Sequence, residues 1–154
     1  MESLIHCEST KTQIIIGGDF NAKTGSGYND FPENIGKFGK GEINSNGSCL
    51  LEFCNRNGLF LTNTFFQHKL AHRVTWTCPE KINKNKRKNP IRNQIDYILT
   101  RKQIKHNIMD SRSYSGTFVE SDHNLVLTKI MIPKKLKFSN IKRKRKPISL
   151  TLKI

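Results

Sequence analysis

The chain has 154 residues, 35% of them apolar, and 27 Lys and Arg against 12 Asp and Glu leave it at a formal +15. That length supports one domain around one core and excludes two comfortable ones, while the charge points to a polyanion, nucleic acid, ahead of an anionic membrane. No run approaches a spanning helix, no basic amphipathic helix stands out, and Met1-Glu2-Ser3-Leu4-Ile5-His6 lacks the pattern of a secretory leader, so neither membrane insertion nor secretion is expected.

In chain order, the β-branched run from Gln13 to Gly18 closes on paired glycines and predicts a strand buried on both faces, with Asp19 at its end. Lys23 to Asn46 turns polar and rich in Gly and Asn, which predicts a surface loop. Asn44 or Asn46 then caps a helix carrying Leu50, Leu51, Phe53 and Cys54, and Asn57-Gly58 ends it with a left-handed residue before Leu59. Strands are predicted at Leu59 to Asn63, Val74 to Thr77, Ile95 to Thr100, near Ser111 to Phe118, and at Asn124 to Ile132. Strands dominate, with few helices.

Two basic stretches stand apart. Pro79 to Pro90 carries five basic residues and one Glu and predicts a solvated hairpin loop facing phosphates; Pro133 to Pro147 carries eight basic residues and no acid and predicts a disordered arm. The blander reading of either is a solubilising surface. Lys142 to Lys146 has the composition of a nuclear import signal, which makes the nucleus the expected compartment. Cys7, Cys49, Cys54 and Cys78 form no CxxC pair and read as buried or free thiols in a reducing compartment.

Three apolar runs each break at a group of phosphate- and metal-friendly side chains: Gly17-Gly18-Asp19-Phe20-Asn21-Ala22, Gln94-Ile95-Asp96-Tyr97-Ile98, and Ser121-Asp122-His123. A carboxylate in an apolar setting is costly unless a metal, a cation or hydrogen bonds compensate it. If the strand stays extended, Asp19 and Asn21 share one side while Phe20 points into the core. The carboxylate then serves to align or deprotonate a water and the amide to donate to a phosphate oxygen; the competing reading is a strand-end turn in which both bond local amides. His123 needs a carboxylate to orient its ring, and Asp96 is the candidate, leaving Asp122 for a metal or for the water. A Ser-Asp-His turn alone is more often a cap than a catalyst. His6, His68, His72 and His106 lack zinc spacing, so oxygen ligands and magnesium or manganese are favoured. Neither GxxxxGK[ST] nor GxGxxG is present.

The order GGDFNA, VTWT, NQIDYIL, SDHNLVL, spanning Thr12 to Ile132, resembles the endonuclease/exonuclease/phosphatase superfamily, most nearly the LINE-type retrotransposon endonucleases and the craniofacial development protein 2-like sequences. The resemblance implies a DNase I-like four-layer α/β/β/α sandwich, a β-sandwich flanked by helices, that cleaves DNA phosphodiesters with Mg2+ or Mn2+ and needs no obligate protein partner. It implies that Asp19 handles the attacking water, that Asn21, Thr75 and His123 bind phosphate, that Asp96 orients His123, and that Asp122 serves the metal. Trp76 is expected to be core packing. The basic loop lies where those enzymes read DNA, so Lys81, Lys84, Lys86, Arg87, Lys88 and Arg92 are the implied DNA-binding residues. Twelve residues precede the first strand, and the family's main metal-ligating Glu has no counterpart in Glu2 or Glu8. Residues 1–132 are therefore expected to be a partial domain, its N-terminal half missing and its activity impaired, followed by a basic tail at 133–154. Two alternatives stay open: a catalytically inactive nucleic-acid-binding remnant, and a relative acting on a nucleotide, lipid or sugar phosphate.

Overall fold

A computed structural model describes Ile5 and residues 12–26, 30–79, 90–115, 121–131 and 148–152, the last group as backbone. Within them the chain is mixed α/β, with antiparallel sheets and few helices.

β5 (Asp96–Arg101) is the centre of the first sheet. It is buried along its whole length, with β1 (Ile15–Asp19) on one side and β2 (Leu59–Leu61) on the other, both antiparallel. Period two divides its neighbours' side chains between two cores. Leu59, Leu61, Tyr97 and Leu99 meet the helix α1 (Ser45–Arg56) through Leu50, Leu51 and Cys54, while Phe60 packs with Ile104, Ile108 and Ile130 on the opposite face. β1 is not the doubly buried strand expected. Gly17 and Asp19 are exposed and the other three residues half-buried, because among the described strands β1 has a partner on one edge only.

The helix follows its signals. Asn44 Oδ1 accepts from the Gly47 amide at 2.8 Å, and Gly58 takes the left-handed conformation at φ 62°, which satisfies groups both helix ends leave unpaired. The segment before it is less loop-like than its composition suggests: Ala22, Thr24, Asn34 and Ile35 are buried. Asn34 reaches the Leu59 carbonyl at 2.7 Å, and Asn44 Oδ1 also accepts from the Lys23 amide at 2.9 Å. Polar residues fold inward here because they satisfy backbone groups that would otherwise be buried unpaired. Gly47 lies against the same segment, where an added Cβ would stand 1.9 Å from the Lys23 carbonyl oxygen. Gly47→Ala is therefore expected to destabilise the fold by about 1–3 kcal/mol, seen as a lower thermal midpoint; an unchanged midpoint would contradict this packing.

The second sheet holds β6 (Ile108–Tyr114), β7 (Leu125–Ile130) and β8 (Ile148–Leu152), antiparallel in that order. β8 lies within the basic tail: Ile-Ser-Leu-Thr-Leu alternates as a strand should, and its backbone pairs along β7. Pro133 to Pro147 lies outside the described residues. A buried hydroxyl triangle ties the two sheets, with Thr62 to Ser111 at 2.9 Å, Thr62 to Thr128 at 3.1 Å and Ser111 to Thr128 at 2.7 Å. Each hydroxyl satisfies the next, so polar atoms sit in the interior without an unpaired donor.

A two-stranded ribbon, β3 (Trp76–Thr77) with β4 (Arg92–Asn93), completes the set. The Cys49, Cys54 and Cys78 thiols are free, and burial pushes the Cys54 thiol up to about 12. Among the described residues no helix is long and apolar enough to cross a membrane.

Candidate active site

Three backbone registers bring the distant motifs together. Asp19 stands opposite Asp96 in the β1–β5 ladder. Thr75 Oγ1 accepts from the backbone amides of Ile95 and Asp96 at 2.9 and 3.1 Å, which locks the ribbon to the start of β5. On its other edge the ribbon pairs with the turn before β7: Trp76 bridges His123, the Thr77 amide donates to the Asp122 carbonyl at 2.9 Å, and the Asn124 amide donates to the Thr75 carbonyl at 2.7 Å. His123 thus arrives beside Asp96 through main-chain pairing.

The expected dyad is present. His123 Nδ1 lies 3.0 and 3.3 Å from the two Asp96 oxygens, with Asp96 fully buried and the imidazole 20% exposed. A carboxylate on one ring nitrogen holds the Nδ1–H tautomer and turns Nε2 toward the open side. Burial pushes the Asp96 carboxyl above the usual carboxylate range; the Thr75 hydroxyl and His123 pull it back, and the Asp19 charge adds to the rise. Ligand atoms of Asp19, Asp96 and His123 all lie within 4.8 Å of one another.

Other expected roles are redistributed. The strand ends at Asp19, and Asn21 takes φ 48°, so the two do not project from one extended strand. Instead Asp19 Oδ1 accepts from the Asn21 amide at 2.8 Å, the local turn that competes with the catalytic reading. Asn21 still reaches the cleft. Thr75 is fully buried, so the expected phosphate contact has no exposed hydroxyl to make it; its oxygen positions Asp96. Asp122 is not in the three-residue cluster expected to include it. Its Oδ2 accepts from the Trp76 indole at 2.8 Å, because neighbouring residues in an extended turn face opposite ways and His123 takes the inward one. Trp76, expected in the core, is half-exposed and lines the cleft opposite His123.

Asn21, Trp76 and His123 border a cleft of about 270 Å³ that Lys23, Asn44, Asn93 and Ile95 also line. The Asn21 carbonyl accepts from Asn44 Nδ2 at 3.3 Å and Asn46 Nδ2 at 3.2 Å, so the helix cap and the cleft wall are one construction. Behind Asp96, Asn63 Nδ2 donates to its carbonyl at 3.0 Å and the Tyr97 hydroxyl donates to the Gln94 carbonyl at 2.7 Å. Sequence reasoning gave Lys23, Asn44, Asn63 and Asn93 no role in the site. Asn63 had one usable signal, an amide directly after an apolar strand; the cleft residues had none. Of the implied DNA-binding residues, Arg92 is exposed on β4, while Lys81, Lys84, Lys86, Arg87 and Lys88 lie outside the described residues.

No family model matches the chain. Over 138 residues, 90% of its length, it is 35% identical to craniofacial development protein 2 of Bos taurus; over 123 residues, 80% of its length, it is 34% identical to the protein of the same name from Tragulus javanicus. The similarity is extensive enough to establish homology to these proteins. The chain covers 21% and 20% of them, about a fifth of the length of these curated relatives.

Proposed function

We propose, from this homology and the arrangement around Asp96, that the chain is a metal-dependent phosphodiester hydrolase domain of the endonuclease/exonuclease/phosphatase type, related to retrotransposon endonucleases and acting on DNA. The corresponding fold is part of a DNase I-like four-layer sandwich. One observation carries the reading: a fully buried carboxylate oriented on an imidazole at a cleft, with a second carboxylate opposite it in the ladder. A merely structural Asp–His pair would not need the neighbouring charge of Asp19, which adds to the cost of ionising Asp96.

In this reading a phosphodiester enters the cleft between Asn21 and His123. His123, its Nδ1 proton engaged by Asp96, uses Nε2–H as a cationic donor to a phosphate oxygen that gains charge in the transition state. The Asn21 side chain donates to another. Asp19, the exposed carboxylate of the three, aligns the attacking water and takes its proton. Asp96 and His123 engage each other, so the exposed Asp19 is the group of the three that would hold a magnesium or manganese ion. When bound, such an ion neutralises phosphate charge and polarises the bond to be broken.

A supercoiled plasmid offers the test. With magnesium the chain is expected to nick it, EDTA to stop the reaction, and Asp19→Asn to lower the rate by about 10²–10⁴-fold, the range for a positioned general base. Equal rates for the chain and Asp19→Asn would reject hydrolysis at this site. The binding-only alternative has one observation in its favour: Asp96 is consumed by His123 and Thr75, which leaves Asp19 as the only accessible carboxylate of the cluster. DNA affinity without nicking would establish that alternative.

A further inference from the structure

Four cations gather on the segments that border the cleft, with Lys40 within electrostatic reach of the other three. Lys23 lines the cleft itself, its main chain fixed on both sides by Asn44. The Lys40 ammonium donates to the Arg92 carbonyl and so pins the loop before α1 onto β4. Arg73 Nη1 donates to the Phe38 carbonyl at 3.3 Å, holding its guanidinium against the same loop. Arg92 is exposed on β4, one residue from Asn93 in the cleft lining. Among the described residues none of the four has a carboxylate within ion-pair distance, whereas Arg112 is paired to Asp110 at 2.6 Å.

We propose that Lys23, Lys40, Arg73 and Arg92 form a docking site for consecutive backbone phosphates of the nucleic-acid strand that enters the cleft. Like charges held together by backbone contacts repel one another, and a run of phosphates removes that cost as it binds. The repulsion registers on Lys40, whose pKa is lowered by burial and then by Arg73, Arg92 and Lys23. Lys40 and Arg73 each spend one N–H on a main-chain carbonyl, so every one of the four keeps further donors for phosphate oxygens, although the Arg73 Nε–H is buried. Lys23 lines the cleft, and Arg92 extends the site onto the other face of β4, beside the loop that carries Lys40. The site extends recognition beyond the scissile group and reads backbone, not base sequence. The choice of a nucleic-acid strand as the polyanion rests on the proposed function; the clustering of the cations does not.

The test is the salt dependence of binding, followed by fluorescence anisotropy of a short labelled DNA duplex in EDTA, where hydrolysis plays no part. Each phosphate contact contributes about 0.9 to the slope of log affinity against log salt, so Lys40→Gln/Arg92→Gln is expected to flatten it by about 2 and Lys23→Gln alone by about 1. The control is Lys102→Gln/Lys129→Gln, the first just after β5 and the second near the end of β7, neither in the cleft lining, and it is expected to keep the parent slope. An unchanged slope in both cluster variants, or an equal loss in the control, overturns the docking site, as does a parent chain that does not bind DNA. The two readings fail separately. Binding that weakens as expected in a chain that never nicks refutes the hydrolase and leaves the docking site standing; nicking with unchanged slopes does the reverse.

Discussion

His123→Ala is expected to lower magnesium-dependent nicking by about 10²–10⁴-fold, the contribution of a positioned acid–base group, while leaving the fold in place. Main-chain links carry the turn that holds this residue: the bridge to Trp76, the Thr77 amide on the Asp122 carbonyl, the Asn124 amide on the Thr75 carbonyl, and the His123 amide on Ser121 Oγ at 3.1 Å. None needs the imidazole. Asp96 loses a partner but keeps the Thr75 hydroxyl, and without His123 its carboxyl, already pushed up by burial, rises further. The measurement is a nicking rate paired with a circular dichroism spectrum. Loss of rate with the parent spectrum assigns the imidazole to the chemistry; an undiminished rate removes it.

Asp96→Asn separates activity from stability more sharply. The amide is nearly isosteric, and its oxygen can still accept from Thr75, but its NH2 now faces His123 Nδ1. That nitrogen must become an acceptor, the ring proton moves to Nε2, and the imidazolium loses the anion that stabilises it. Nε2 keeps its N–H, so the donor to the phosphate stays but loses its cationic charge, and a rate loss of about 10²–10⁴-fold is expected. Stability moves the other way. Because the folded-state pKa of Asp96 is raised, the unfolded chain gives up this proton first, so the residue favours folding below the ordinary carboxylate range and loses that contribution as pH rises through the folded value. Asp96→Asn removes this pH-dependent loss. At neutral pH the variant is expected to melt at or above the parent temperature, and its advantage over the parent should shrink in acid. A variant that melts well below the parent at neutral pH would show that the carboxylate is there for stability.

Much of this architecture is legible without coordinates. The helix from its Asn cap to its glycine stop, the alternation of the later strands, and the pairing of Asp96 with His123 all follow from local pattern and elementary chemistry. Each depends on interactions within a few residues, or on a need as strong as a buried carboxylate's for a partner. The differences share one cause. Asp19 and Asn21 would share one side only in an extended strand, and the competing turn is the one that forms: the chain turns left-handed at Asn21 and Asp19 caps its amide. Asp122 and His123 looked like neighbours aimed at one place, yet alternation sends one to Trp76 and the other to Asp96.

Residue types and local spacing by themselves determined that this chain is a basic, strand-rich domain with acid, amide and imidazole groups at strand ends. Tertiary structure alone decided which of those groups meet, since ladder register is set between strands far apart in sequence and a one-residue slip would turn every side chain to the opposite face. The same holds for the cations. Lys23, Lys40, Arg73 and Arg92 are scattered across 70 positions of an evenly basic chain, and only the folding of the loop before α1 onto β4 gathers them beside the cleft.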